Sequence, residues 1–175
     1  RASLSGAYLV GADLQRADFH RANLIDVNLE RADLQESDLQ GANLQGANLE
    51  GANLKWANLQ NTILWATDLT GANLKGANIG AELYEGVNFA KAILSDLHFS
   101  YGNLFEANFE GADLRGTQFV EADLRMANFS NADLRKANLS ESKLRDANFS
   151  GADLKDADLR YANLEEADFQ GANLQ

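Results

Sequence analysis

The chain has 175 residues, no cysteine, no proline and a formal net charge of −11. The lack of cysteine excludes disulfides and thiolate metal sites and is typical of a reducing compartment, so we expect a cytoplasmic location, although a start at Arg1 is compatible with a removed leader. No apolar run is long enough to span a membrane, and we expect no membrane partner. The acidic balance argues against direct nucleic-acid binding and favours a basic partner.

A five-residue repeat runs along the chain. Every fifth position from Leu4 to Leu174 is apolar, and these 35 positions hold 25 Leu, 8 Phe, Ile79 and Tyr84. Two places earlier the residue is Ala in 25 of 35 units, and the position between is Asn or Asp in 27. The unit is therefore A-[DN]-L-x-x, in which strand-like alternation turns Ala and Leu inwards and Asn or Asp outwards.

The spacing of this unit predicts a coil that bends after each repeat. A helix would place residues five apart about 140° apart around its axis, and an antiparallel meander would need longer strands. Residues 20 apart are also alike, which indicates four pentapeptides per coil and roughly nine coils stacked about 4.8 Å apart. Two inward columns form the predicted core ladder: Leu14, Leu34, Leu54, Leu74, Leu94, Leu114, Leu134, Leu154 and Leu174, with Phe89, Phe109, Phe129, Phe149 and Phe169.

The units GADLQ, RADFH, GANLE and GADLR resemble those of the pentapeptide-repeat protein family. The resemblance covers essentially the whole chain and implies an all-β fold, namely a right-handed quadrilateral parallel β-helix forming one solenoid domain over residues 1–175. It implies the fold much more strongly than the function. Long arrays of this kind are abundant in cyanobacteria, so the resemblance also implies a cyanobacterial source.

The repeat is irregular near residues 80–101. Glu82 occupies an Ala position and Leu83 an outward position, which predicts a local bulge over residues 80–86. Further on, Leu97 replaces Ala and His98 replaces Asn. Two shorter arrays joined end to end would give this pattern. Because the five-residue frame continues across the region, we do not expect a linker.

One of the four predicted faces combines residues 6–10 with their equivalents every 20 positions. It contains no Lys or Arg, and its single sign of charge suits a positively charged partner, although a merely solvated face is the plainer alternative. We call it the acidic face, and its carboxylates are Asp26, Glu30, Glu50, Asp68, Glu106, Glu110, Asp146, Glu166 and Asp168.

A second predicted face carries large apolar residues in outward positions, which we call the apolar patch: Ile63, Trp65, Leu83 and Phe105. Trp56 and Tyr101 lie at corners of neighbouring faces. Exposed apolar groups can mark a partner site. The alternative is that these side chains cover the bulge or pack on one another.

The sequence offers no convincing catalytic, cofactor or metal site. His20 and His98 have only isolated acidic neighbours. The many Asp residues share one position with Asn, which suits a turn hydrogen bond rather than a general base. No phosphate-binding, dinucleotide-binding or calcium-binding motif is present. We therefore expect no enzyme activity and no cofactor.

The sequence predicts a non-catalytic rigid scaffold that presents surface residues to a protein partner, which is basic or DNA-binding if the acidic face binds it. Some members of the resembling family imitate duplex DNA and so block DNA gyrase or related topoisomerases and protect against quinolones, which gives one alternative. A purely structural rod is another. Because no capping helix is apparent at either end, end-to-end self-association is also expected.

Overall fold

The structure, a computed structural model, describes residues 2–80 and 84–175. It has two short strands, β1 (Asn58–Leu59) and β2 (Asn78–Ile79), which pair in parallel with Asn58 opposite Asn78. Elsewhere single parallel bridges join residues 20 apart, from Ser3 with Asn23 to Asp153 with Asn173. Within the described ranges no helix is long and apolar enough to cross a membrane. The architecture is an all-β repeat in which stretches 20 residues apart lie side by side.

The chain bends after each unit through a four-residue turn. The N–H of Ala7 donates to the carbonyl of Leu4 at 2.9 Å, and equivalent bonds recur along the chain. The third residue of each turn has positive φ, as in Gly6 at 67°, which is the geometry of a type II turn. This requirement explains the frequent Gly at that position. It is also met by other residues, such as Trp56 at 59°.

The outward Asn or Asp of each unit stabilises the turn that follows it. Its Oδ1 atom accepts a hydrogen bond from the N–H two residues later, as between Asn48 and Glu50 at 2.9 Å. Either side chain supplies that oxygen, which explains why the two residue types share the position. Their abundance therefore has a structural cause.

Leu and Phe side chains fill the interior. The core-ladder members that are buried are Leu34, Leu54, Leu74, Leu94, Leu114, Leu134, Leu154, Phe89, Phe109, Phe129 and Phe149. The rings of Phe129 and Phe149 stack with centroids 4.9 Å apart. Towards the two ends Leu14 and Phe169 are half-buried, and Leu174 is 59% exposed.

The coil is locally opened beside the predicted irregularity. Glu82 and Leu83 lie outside the described residues, as does part of the bulge predicted over residues 80–86. Within the described residues, no bridge joins Asn78 to His98, although His98 pairs with Gln118 in the next coil. The turn pattern continues in the same frame on both sides. The prediction that two arrays are joined here stays a prediction.

Candidate interaction surfaces

The acidic face is less uniform in charge than its sequence indicates. Arg31 and Arg145, which belong to neighbouring faces, reach around the corners. The Nε of Arg31 lies 3.6 Å from a carboxylate oxygen of Glu30, and the Nε of Arg145 lies 3.4 Å from one of Asp146. These contacts are not visible in the sequence, because assigning each side chain to one face does not show that a long arginine crosses a corner. They partly neutralise two of the nine carboxylates.

The carboxylate of Asp68 is occupied by hydrogen bonds within the coil and is therefore less available to a partner. This half-buried carboxylate accepts hydrogen bonds from the N–H of Thr70 at 3.0 Å, the hydroxyl of Thr70 at 2.6 Å and the amide of Asn88 at 3.1 Å. Asp168 is exposed and accepts the N–H of Gln170 at 2.9 Å.

The other five carboxylates of the acidic face are exposed and, within residues 2–80 and 84–175, have no cation within ion-pair distance: Asp26, Glu50, Glu106, Glu110 and Glu166. These are the acidic groups that remain available to a partner.

On the other faces, the four acidic residues followed two positions later by Arg are each paired with it: Asp113, Asp123, Asp133 and Asp158. Arg115 donates through Nε and one terminal nitrogen to the two oxygens of Asp113, both at 2.7 Å. The equivalent hydrogen bonds from Arg160 lower the pKa of Asp158 to about 2. These bidentate pairs hold charge close to the coil. The carboxylates of the D-L-R units are therefore neutralised by Arg, whereas most of those on the acidic face are not.

The apolar patch is only partly available. Ile63 is 39% exposed and Trp65 is 47% exposed, as predicted for outward positions. Phe105 is half-buried beneath Arg125, whose guanidinium carbon lies 5.5 Å from the ring centroid. Leu83 lies outside the described residues. Arg125 therefore covers one side of the patch, a cation–π contact that the sequence analysis missed.

The corner at Trp56, which is 60% exposed, carries a feature that the repeat pattern does not indicate. Here a groove of about 370 Å³ is lined by Trp56, Lys75, Gly76, Ala77, Ser95 and His98, together with Asp96 and Leu97. We call it the tryptophan groove. Its signal in the sequence is the pair of N-L-K units ending at Lys55 and Lys75, which replace the D-L-R units of later coils.

The histidines show no catalytic arrangement. The Nδ1 of His20 lies 4.0 Å from a carboxylate oxygen of Asp38, and both side chains are more than two-fifths exposed. Within the residues the structure describes, no group of three or more His, Cys, Asp or Glu side chains could hold a metal ion.

The repeat geometry agrees with comparison to known proteins. The family model for pentapeptide repeats matches residues 2–41, 37–76, 85–117, 103–140 and 137–175. The chain belongs to the pentapeptide-repeat family. No match is found for this pentapeptide-repeat protein among the curated proteins.

Solved structures of the family are similar to this pentapeptide-repeat protein. The crystal structure of HetL, a pentapeptide-repeat protein involved in heterocyst differentiation regulation from the cyanobacterium Nostoc sp. strain PCC 7120, is 31% identical with a TM-score of 0.50. The match covers 98% of this chain and 84% of HetL. A trypsin-treated variant of QnrB1, a plasmid-mediated fluoroquinolone resistance protein, is 20% identical with a TM-score of 0.60 over 91% of this chain and 92% of QnrB1. At that identity the likeness to QnrB1 concerns the fold alone.

Proposed function

We propose that this protein is a non-catalytic, rigid scaffold whose surface binds a protein partner. The carrying observation is that five exposed carboxylates lie together on a face that has no Lys or Arg of its own, and have no ion-pair partner among the described residues. The acids of the D-L-R units elsewhere, such as Asp113 and Asp158, are paired with Arg. A single-signed surface attracts and orients an oppositely charged partner. The partner proposed for this face is therefore basic.

We expect the scaffold to be rigid because hydrogen bonds between main-chain groups link each coil to its neighbours. The main-chain amides of most units donate to a carbonyl in a neighbouring coil, as Leu114 does to Asp133 at 2.8 Å. We further propose that the coil is right-handed and four-sided, with roughly nine coils and a length of about 40 Å. We also propose a cytoplasmic location, a cyanobacterial source and self-association of the coil end to end.

DNA mimicry directed at gyrase or a related topoisomerase is the alternative. It is favoured by the acidic face. Duplex DNA, however, carries one charge per about 1.7 Å, or more than 20 over a length of about 40 Å. The acidic face has nine carboxylates, of which two contact Arg. This density supports an ordinary acidic interface better than a DNA mimic.

Binding to native host extract tests the proposed function. The wild type should retain a defined protein that a variant with Glu50, Glu106, Glu110 and Glu166 all changed to Gln loses. A charge-matched control changes Glu121, Glu141, Asp156 and Glu165 to Gln or Asn on other faces, and should still retain it. Equal retention by both variants would refute a role for the acidic face.

A DNA supercoiling assay distinguishes the proposed scaffold from a DNA mimic. We expect no inhibition or protection of DNA gyrase by the wild type at micromolar concentration. Inhibition that the acidic-face variant lacks and the charge-matched control keeps would instead establish the mimic. If neither assay distinguishes the two variants and no partner is retained, the purely structural rod is favoured.

A further inference from the structure

The tryptophan groove is built around the indole of Trp56, which lies against Gly76 of the following coil. A Cβ atom placed on Gly76 would collide with the six-membered ring of Trp56, so the indole occupies the space that a side chain at Gly76 would need. The main-chain N–H of Trp56 also donates to the carbonyl of Lys75 at 3.2 Å, which places Lys75 in the coil next to Trp56. The groove therefore has a broad apolar wall beside a lysine.

Main-chain amides near this wall lack their usual acceptors. At the equivalent turn of the following coil, the N–H of Asp96 donates to the carbonyl of Arg115 at 2.9 Å. In the described part of the chain, the N–H of Gly76 makes no such bond to Ser95, and that of His98 makes none to Ala77.

A larger side chain lies beside this opening: Leu97 occupies an Ala position and is buried, with 4% of its surface exposed. Both Gly76 and His98 are exposed, so these two N–H groups are open to solvent and can donate to an acceptor on a bound segment.

Two lysines stand at the groove although the protein is strongly acidic: Lys75 lines it, and Lys55 directly precedes Trp56. Residues 51–60 and 71–80, GANLKWANLQ and GANLKGANIG, contain Lys55 and Lys75 and no carboxylate. Within the described residues neither lysine has an ion-pair partner, unlike Arg115. One carboxylate, that of Asp96, also lines the groove, but its Oδ1 atom lies over Gly116 in the following coil.

We propose that the tryptophan groove binds an acidic peptide segment of a protein partner. A carboxylate of the segment lies between the ammonium groups of Lys55 and Lys75, and an apolar side chain beside it packs on the indole of Trp56. This inference rests on the proposed function and adds a second surface with the opposite charge preference.

A second copy of the chain is a poorer occupant, because each copy carries a net charge of −11 and the two repel. Nucleic acid is disfavoured for the same reason, since strong binding to its phosphates needs many more cations than two.

Fluorescence of Trp56 tests the proposal in the full chain. The background variant Trp65→Phe leaves Trp56 as the sole tryptophan. The probe is a short synthetic peptide in which Glu residues flank a central Leu, compared with its Gln analogue and with single-stranded oligothymidylate. We expect the Glu peptide alone to shift the emission saturably, and Lys55→Gln/Lys75→Gln to raise its Kd at least about tenfold.

Matched variants separate the groove from general electrostatics. Lys136→Gln/Lys155→Gln removes the same charge from the same corner further along the coil and should leave the Kd within about twofold. Gly76→Ala should weaken binding because it displaces the indole, and circular dichroism verifies that it folds. Hydrogen exchange at the amides of Gly76 and His98 should slow when the Glu peptide is bound.

Three results would overturn the proposal: no saturable shift below about 1 mM peptide, equal weakening by both lysine pairs, or binding of the oligonucleotide in preference to the peptide. The acidic-face variant should bind the Glu peptide at least as tightly as the wild type. Loss of peptide binding with partner capture intact would therefore remove this inference and leave the proposed function standing.

Discussion

The third residue of each described turn has positive φ, whether it is Gly or a residue with a side chain. Ala66 has φ of 52° there and is exposed, so its methyl group adds steric cost without buried contacts. We expect Ala66→Gly to stabilise the protein by about 1 kcal/mol, since glycine adopts this conformation without the cost. The midpoint of chemical denaturation measures the change. The same substitution at buried Ala72, which does not have positive φ, should destabilise by about 1 kcal/mol. Two shifts of the same sign would contradict the turn assignment.

In a D-L-R unit, the pKa of the Asp is lowered by the Arg two positions later. Hydrogen bonds from Arg160 lower the pKa of Asp158 to about 2, so this carboxylate stabilises the fold above its ordinary pKa near 4 and loses that contribution as pH falls towards 2. In Arg160→Gln we expect the pKa of Asp158 to rise towards its ordinary value, because the side-chain hydrogen bonds are lost while the main-chain N–H of residue 160 still donates to the carboxylate. NMR titration of the carboxyl carbon measures the change. Lys155→Gln, which removes a nearby charge outside the pair, should leave that titration unchanged. An unaltered pKa in Arg160→Gln would show that the pair does not persist in solution.

At the scale of the element, side-chain amides link successive coils on the acidic face. Asn88, Asn108, Asn128 and Asn148 each donate from Nδ2 to the Oδ1 atom of the residue 20 positions earlier, at 3.0 to 3.2 Å. Each bond repeats the direction of the previous one. The result is an asparagine ladder that starts at Asp68, which needs only to accept.

Asn108→Asp should break this asparagine ladder. It removes the donor to Asn88 and places a carboxylate against the Oδ1 that it formerly bonded, at a cost of about 1–3 kcal/mol. Asn28→Asp is the matched control, because Asn28 is on the same face and keeps its turn bond to Glu30 but has no ladder bond among the described residues. Denaturation midpoints that fall equally in both variants would mean that added charge, and not the ladder, causes the loss.

The elements also show what the sequence could predict. Burial of Leu114 followed from its place in a repeated environment, and the 20-residue spacing of Phe109 and Phe129 indicated stacked coils before any contact was known. The contact of Arg31 with Glu30 and the opening between Ala77 and His98 could not be predicted. The first depends on how a long side chain crosses a corner, and the second on the distance between coils, and neither quantity is encoded in the repeat unit.

At the scale of the whole molecule, a net charge of −11 should make stability depend on salt. Glu106 and Glu110 lie on the acidic face, are exposed and have no cation within ion-pair distance in the described part of the chain. We expect Glu106→Gln/Glu110→Gln to raise the denaturation midpoint at low ionic strength, because it relieves like-charge repulsion. The gain should vanish near 1 M salt, where the Debye length falls to about 3 Å. Glu36→Gln is the control with a partner, since Glu36 accepts from Arg16 at 2.8 Å, and it should bring no such gain. A gain in the double variant that is independent of salt would show that repulsion across the acidic face is not its source.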